Sequence, residues 1–286
     1  MSPRLNYNWR NRMLDLFDLA VANRTALQAR YETLLSGMSD AESEELSRFA
    51  ARVEQDARVS VNMRQTALQS LLTLGQHRNI YEWARARASH STKTTEEIMR
   101  ARLGRYFEAR MAFDRFFTDG ESFRYGALNI GGAGATGYGE FCAVVSEPFF
   151  ASRRQSACVA SDSLATYVLP ALVIDEARLR QDVAPHSDRH RLATVKLHSH
   201  VCTTPETSWS RLLCSDTDFV EAIFAGPLTP ADLESVRMLE ADYEVYSDFT
   251  FNDFRYGLSM CDRMLTDGFA LVLELLEARG IPLGVV

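Results

Sequence analysis

Two textures follow one another along the chain. From residue 1 to about 118 the chain reads as helix after helix, with apolar residues recurring at the three-to-four spacing of helices that bury one face. Met13, Leu14, Phe17, Ala20, Val21 and Leu27 form the first such stripe. Ser39-Asp40-Ala41-Glu42 has the form of a capping box, in which serine and glutamate satisfy each other's free backbone N–H groups, and it predicts a second helix through Leu46, Phe49 and Val53. Val59 to Leu74 is expected to continue as helix and to stop near Gly75. Thr94-Thr95-Glu96-Glu97 is a second box, predicting one long amphipathic helix through Ile98, Met99, Leu103, Tyr106, Phe107, Met111 and Phe113 that ends at Thr118-Asp119-Gly120.

From Glu121 onward, short β-branched and aromatic runs alternate with turn residues: FRYGALNI, YGEFCAVV, ACVASDS, ATVKLHSHVC and DFVEAIFAG. These predict strands. Two helices are expected among them, one after Gly226-Pro227-Leu228-Thr229-Pro230 and one from about Asp253 to Arg279, ahead of Gly280 and Pro282. The fold class is therefore α+β. An all-helical N-terminal domain, residues 1–120, is expected to pack on a mixed or antiparallel sheet formed by residues 121–286.

Composition narrows the function. The 286 residues are 46% hydrophobic and 24% charged, enough to bury a sizeable core. No apolar run approaches the ~20 residues that span a bilayer, and the N-terminus lacks the apolar segment and cleavage site of a signal peptide. A soluble protein without a membrane partner is expected, and export would use a route that needs no cleaved signal. The cysteines, Cys142, Cys158, Cys202, Cys214 and Cys261, are odd in number and scattered, which suggests reduced thiols in a cytosolic setting.

Charge is uneven. Residues 1–120 hold 18 basic and 15 acidic residues, and the remainder holds 13 and 23, so the C-terminal part carries net −10. Nucleic acid is a poor partner for such a surface. Only Lys93 and Lys196 of the 31 basic residues are lysines, as genomic base composition or avoidance of ubiquitin attachment would produce.

Gly132 to Gly137, GAGATG, matches the G-x-G-x-x-G dinucleotide fingerprint. That motif works when the glycine turn follows a strand and opens a helix. Here the glycine-interrupted, β-rich run from Tyr138 to Val145 follows it, then Glu147-Pro148, so a Rossmann-type NAD oxidoreductase is the least favoured reading and a connector between two strands the better one. His198, His200 and Cys202 would share one face of a strand, too crowded to close a zinc tetrahedron without other ligands. Tyr243 to Phe254 is aromatic and acidic, which fits core strand packing or a partner-binding surface.

Four short motifs occur in a telling order: R-Y-G-A-L-N from Arg124, Y-G-E-F-C from Tyr138, S-D-S at residues 161–163, and F-V-E-A-I-F-A-G-P-L-T-P-A-D-L-E from Phe219. Over about residues 121–245 this order resembles the Arg–Ser–Glu arrangement of bacterial mono-ADP-ribosyltransferases. The resemblance implies cleavage of the nicotinamide–ribose bond of NAD, which is consumed as substrate, and transfer of ADP-ribose to a protein. It implies Glu221, Arg124 and Ser163 as catalytic residues, and Arg124, Tyr125, Gly126, Tyr138, Ser161 and Ser163 around NAD.

The chemistry fits these residue types. Glycosidic cleavage passes through an oxocarbenium-like state, which a fixed carboxylate stabilises. On a strand, Phe219, Glu221 and Ile223 share a face, and a carboxylate among aromatics needs a partner such as a ribose hydroxyl. Alternatively, Glu221 stands on the exposed face of an edge strand. Arg124 offers a planar fork for a pyrophosphate, or is simply a surface arginine at a strand entrance. Ser163, ahead of Ser161, is expected to bond Glu221 or the ribose, although S-D-S is also ordinary turn composition. Tyr125 or Tyr138 would stack on nicotinamide unless each is core.

Transferases that modify arginine or asparagine usually carry Glu or Gln two residues before the catalytic glutamate, where this chain has Phe219. That departure turns the expectation toward a hydroxyl acceptor, as in effectors that modify a threonine of host ubiquitin. The helical part would then recognise a host protein, with a non-catalytic interaction protein on the same fold as the alternative.

Overall fold

The computed structural model describes residues 14–151, 155–247 and 260–286. Its frame is an eight-stranded mixed sheet. The strands are β1 (Arg58–Met63), β2 (Arg124–Asn129), β3 (Phe141–Val145), β4 (Ser156–Val159), β5 (Val183–Pro185), β6 (Glu221–Phe224), β7 (Leu233–Met238) and β8 (Leu283–Val285). They lie in the order β5-β4-β6-β2-β1-β3-β7-β8. Every adjacent pair is antiparallel except β7 and β8. The described chain is thus α+β, as expected.

Helices α1 (Leu16–Ser36), α2 (Asp40–Asp56), α3 (Gln65–Leu74), α4 (Ile80–Ala88), α5 (Thr95–Leu103) and α6 (Phe107–Phe116) come from the N-terminal part. The capping boxes at Ser39 and Thr94 both form, and Asn79 with Glu82 makes a third at the start of α4. Gly104, at φ +55°, divides the expected long helix into α5 and α6 with a single 3-10 turn between them.

The N-terminal part is not all-helical. Residues 58–63 are a strand, and β1 lies in the middle of the sheet between β2 and β3. The alternation in Arg58-Val59-Ser60-Val61-Asn62-Met63 explains why, since it sends Val59, Val61 and Met63 to one face and Ser60 and Asn62 to the other. The sheet therefore draws strands from both sides of residue 120.

Two further assignments are corrected. ATVKLHSHVC, expected as a strand, belongs to α10 (Arg189–Val201), where Arg189, Ala193, Leu197 and Val201 repeat every four residues along a buried stripe against α2. The helix expected after Pro230 is a single 3-10 turn followed by β7. The carboxylate of Asp232 accepts from the N–H of Thr229 (2.8 Å) and from its hydroxyl (2.7 Å), so the box-like signal caps a turn and not a helix.

Shorter helices α7 (Glu147–Ala151), α8 (Ser163–Tyr167), α9 (Glu176–Asp182) and α11 (Trp209–Leu213) connect the later strands. Residues 240–247 form α12, and α13 (Met260–Ala278) precedes β8. The start expected for that last helix, Asp253 to Ser259, and the Asp248–Phe254 part of the aromatic run lie outside the described residues. No helix among the described residues is long and apolar enough to cross a membrane.

The larger core fills one face of the sheet. There Val59, Val61, Ala143, Val145, Ala222 and Phe224 meet apolar side chains of α2, α3, α10 and α13. A second core, including Phe113, Phe117, Ala157, Val159 and Ile223, covers the β4 and β6 end of the other face. Beside it, over β1 and β2, that second face carries the polar site.

Candidate functional site

The segment linking β2 to β3 builds one wall of the site. Both strands pair with β1, so the chain leaving β2 beside Arg58 must cross the sheet to re-enter beside Met63. It passes close over β1: the Asn62 amide donates to the carbonyls of Ala133 (2.8 Å) and Gly139 (3.1 Å). Glycine is required by that proximity. At Gly134, with φ +71°, a Cβ would lie 2.1 Å from Asn62 Oδ1. GAGATG is therefore a crossover packed on the sheet, ending in a 3-10 turn (Thr136–Tyr138) and then β3. No helix N-terminus follows it, as the Rossmann reading would require.

Under this crossover lies a cavity of about 90 Å³. β1 contributes Ser60 and Asn62, β2 contributes Tyr125 and Gly126, and α6 contributes Arg110. Ala135 and Tyr138 close it from the crossover, and Phe219 and Glu221 from the β6 side.

Glu221 opens β6, an interior strand between β4 and β2, and is 4% exposed. The edge-strand alternative for this residue is excluded by that position. Phe219 and Glu221 line the cavity and Ile223 joins the core on the same face, while Val220 and Ala222 enter the opposite core. One carboxylate oxygen accepts the backbone N–H of Ser163 at 2.8 Å, where α8 begins. The fully buried Ser163 hydroxyl has no partner in hydrogen-bond geometry, although it lies near enough for its dipole to favour the carboxylate. Burial pushes the Glu221 carboxyl up to about 7, and Asp162 adds to the rise; the positive charge of Arg110 and the Ser163 contacts oppose it.

Arg110 is the cation of the site. Its guanidinium lies 3.7 Å from the centroid of the Tyr125 ring and 3.5 Å from Asp114, one helical turn on. Burial works against its charge, but Tyr125, Asp114 and Glu221 together hold it protonated. The Asp114 carboxylate accepts from the hydroxyls of Tyr81 (2.9 Å) and Tyr125. Burial drives the Asp114 carboxyl above its usual range and the Tyr125 phenol far above its own.

At the mouth, Tyr138 is 56% exposed, sits edge-on to Phe219 and donates to Asp162 at 2.9 Å. Asp162 also caps α8, accepting from Leu164 and Ala165. Asp216 holds the crossover from outside, accepting from the Thr136 hydroxyl (2.9 Å) and the Gly137 N–H (3.0 Å). Ser161 is half-buried in the bend after β4.

Arg124 is not in this cavity. Its register partner is Phe224, whereas that of Ala127 is Glu221, so the Arg124 and Glu221 side chains leave opposite faces of the sheet. Arg124 is 3% exposed, and its guanidinium donates to the carbonyls of Ser122 (3.2 Å) and His77 (3.1 Å) and to Glu82 (2.7 Å). Glu82 is the capping glutamate of α4, so Arg124 braces that helix against the sheet. Of the expected residues, then, Glu221, Ser163, Tyr125, Gly126 and Tyr138 come together, with Ser161 alongside and Arg124 apart.

Sequence reasoning missed Ser60, Asn62, Arg110 and Asp114. The alternation of β1 carried the signal for the first two. Arg110 and Asp114, four residues apart on a helix, formed an ion-pair pattern lost among many others. His198 and His200 lie on α10, and among the described residues no group of three or more His, Cys, Asp or Glu side chains is placed to hold a metal.

Fold and site together define an α+β protein with a buried carboxylate cavity on one face of a mixed sheet. No protein-family model and no curated protein matches the sequence.

Proposed function

We propose that the chain is an NAD-consuming mono-ADP-ribosyltransferase with Glu221 as its catalytic carboxylate. The observation that carries this reading is the Glu221 carboxylate itself: buried, fixed by the Ser163 amide and open to a cavity rimmed by Tyr125, Tyr138 and Phe219. A carboxylate so fixed is suited to an oxocarbenium-like ribose, because its field is already oriented before charge develops. Aromatic edges beside it suit the departing nicotinamide ring. Arg110, and not Arg124, is the cation near the reacting centre, and Arg124 enters this reading as a brace for α4. The acceptor we favour is a protein hydroxyl, with a threonine of host ubiquitin as the specific candidate, which makes the chain an exported effector.

The test is intact-mass measurement of ubiquitin after incubation with the protein and NAD. A gain of one ADP-ribose unit, lost in Glu221→Ala with the fold intact, is the expected result. NAD consumption without that gain removes ubiquitin as acceptor and keeps the reaction class. No turnover of NAD with any acceptor favours the second reading, a non-catalytic interaction protein. That alternative has its own support in the cavity volume of about 90 Å³, too small for a whole dinucleotide.

A further inference from the structure

Beyond α8 the chain makes a turn that folding alone does not account for. Leu169, Pro170, Ala171, Leu172 and Val173 are all apolar and all exposed. Single exposed apolar side chains are ordinary on a protein surface, whereas a consecutive run of them marks a place of contact. The run is not a loose loop. The N–H of Leu169 donates to the carbonyl of Val173 (2.9 Å) and that of Leu172 to the carbonyl of Leu169 (2.8 Å), while Val168 and Ile174 pair antiparallel at its base. Both of those residues pack on the second core, beside the fully buried Tyr167. Leu172 holds φ +57°, a left-handed conformation that glycine or asparagine adopts readily and that strains a bulky side chain. A turn selected for stability alone would not place leucine there.

Place and charge together say what covers it. The turn is anchored on the sheet face that carries the cavity, and α8, whose first amide holds the Glu221 carboxylate, leads straight into it. The five residues of α8, at about 1.5 Å each, and a few extended ones put the tip within about 25 Å of that carboxylate, less than the breadth of a small domain. A protein seated on the turn therefore reaches the mouth of the cavity. Around the turn, Arg178 pairs with Asp182 (3.5 Å) and Arg180 with Glu176 (2.8 Å). Asp162 and Asp175 have no cationic partner among the described residues, their carboxylates accepting from backbone amides and, for Asp162, the Tyr138 hydroxyl. An apolar tip with an acidic rim suits an apolar patch with a basic rim and is repelled by an anionic lipid surface. We propose that residues 169–173 are the docking element for the protein acceptor, which offers such a basic-rimmed apolar patch near the hydroxyl to be modified. The proposal rests on the transferase reading, which makes the docked protein the acceptor, and it sets recognition beside Glu221 rather than on the N-terminal helices.

The probe is ubiquitin, titrated by calorimetry into Glu221→Gln, which holds an acceptor without modifying it, and into the same protein carrying Leu169→Ser and Leu172→Asn. The turn substitutions should weaken binding by about tenfold or more, as loss of a central apolar anchor does. Binding to the parent should also weaken as salt rises, because the two rims carry opposite charge. Leu172→Asn alone relieves the strain and should melt at or above the wild-type temperature, so that lost binding is not lost folding. In the active protein the turn substitutions should raise KM for ubiquitin and leave KM for NAD and acceptor-free release of nicotinamide unchanged. Turn-dependent binding of ubiquitin by a wild-type protein that does not cleave NAD would keep the docking surface and remove the transferase reading. Binding that the turn substitutions leave unchanged, or no binding of ubiquitin at millimolar concentration, would overturn the proposal whether or not NAD is cleaved. So would an effect of those substitutions on self-association, or on adsorption to phosphatidylserine vesicles, in place of an effect on ubiquitin.

Discussion

In the reaction we propose, Glu221 sits at a conflict between stability and function. A carboxyl whose folded value is raised to about 7 from an ordinary 4.5 binds protons more tightly in the native state than in the unfolded one. Its contribution is therefore most favourable at acid pH and is lost as pH rises from 4.5 to about 7, by on the order of 3 kcal/mol for a fully buried group. Glu221→Gln should accordingly melt higher than wild type at pH 8 and close to it at pH 4, while losing NAD turnover. Scanning calorimetry of both proteins at the two pH values checks this, since the other titrating groups cancel in the difference. Arg110 opposes the rise in the Glu221 carboxyl. Arg110→Gln should raise that carboxyl further and move the pH profile of NAD cleavage to higher pH, whereas a purely structural role for Arg110 would lower activity without moving the profile. Arg124→Met should lower the melting temperature by unbracing α4 and leave Glu82 with its capping bond to Asn79 but without its ion-pair partner, yet leave KM for NAD unchanged.

The crossover and β1 act as one unit, and their legibility differed. Strands β2, β3, β4 and β6 were visible as short β-branched runs, and two helix starts, at Ser39 and Thr94, carried readable caps. β1 was missed because a six-residue alternating stretch lay between two strongly helical ones, where a helical reading of Val59 to Leu74 absorbed it. α10 was misread because its β-branched Thr194, Val195 and Val201 mimic a strand, while the stripe that decides the matter is shared with α2 across the fold. In the same way, the strand parity of Glu221 could be worked out locally, but the face taken by Arg124 depended on its register against β6. Gly134→Ala tests the unit: with φ +71° and a Cβ 2.1 Å from Asn62 Oδ1, it should cost about 2 kcal/mol or more and lower the denaturant midpoint. Gly75→Ala, at similar φ but with open space around it, should cost only the backbone part, about 1 kcal/mol.

Across the molecule, one sheet serves two purposes. Its first face is packed by the larger core, and its second divides between a smaller core and the polar cavity, so that helix α6 brings Arg110 and Asp114 from the N-terminal part to a carboxylate on β6. A change in the middle of that sheet should not be confined to the site. Ser60→Pro removes a backbone donor from a strand paired on both sides and should abolish folding, seen as loss of cooperative melting by circular dichroism.

The central claim is that Glu221 promotes cleavage of the nicotinamide–ribose bond. Nicotinamide release from NAD, followed by proton NMR for wild type and Glu221→Gln with ubiquitin present, tests it most directly. The account predicts release by wild type and a loss of at least a hundredfold in the variant, about 2.7 kcal/mol of transition-state stabilisation. Equal release by both proteins, or none by wild type, would contradict it.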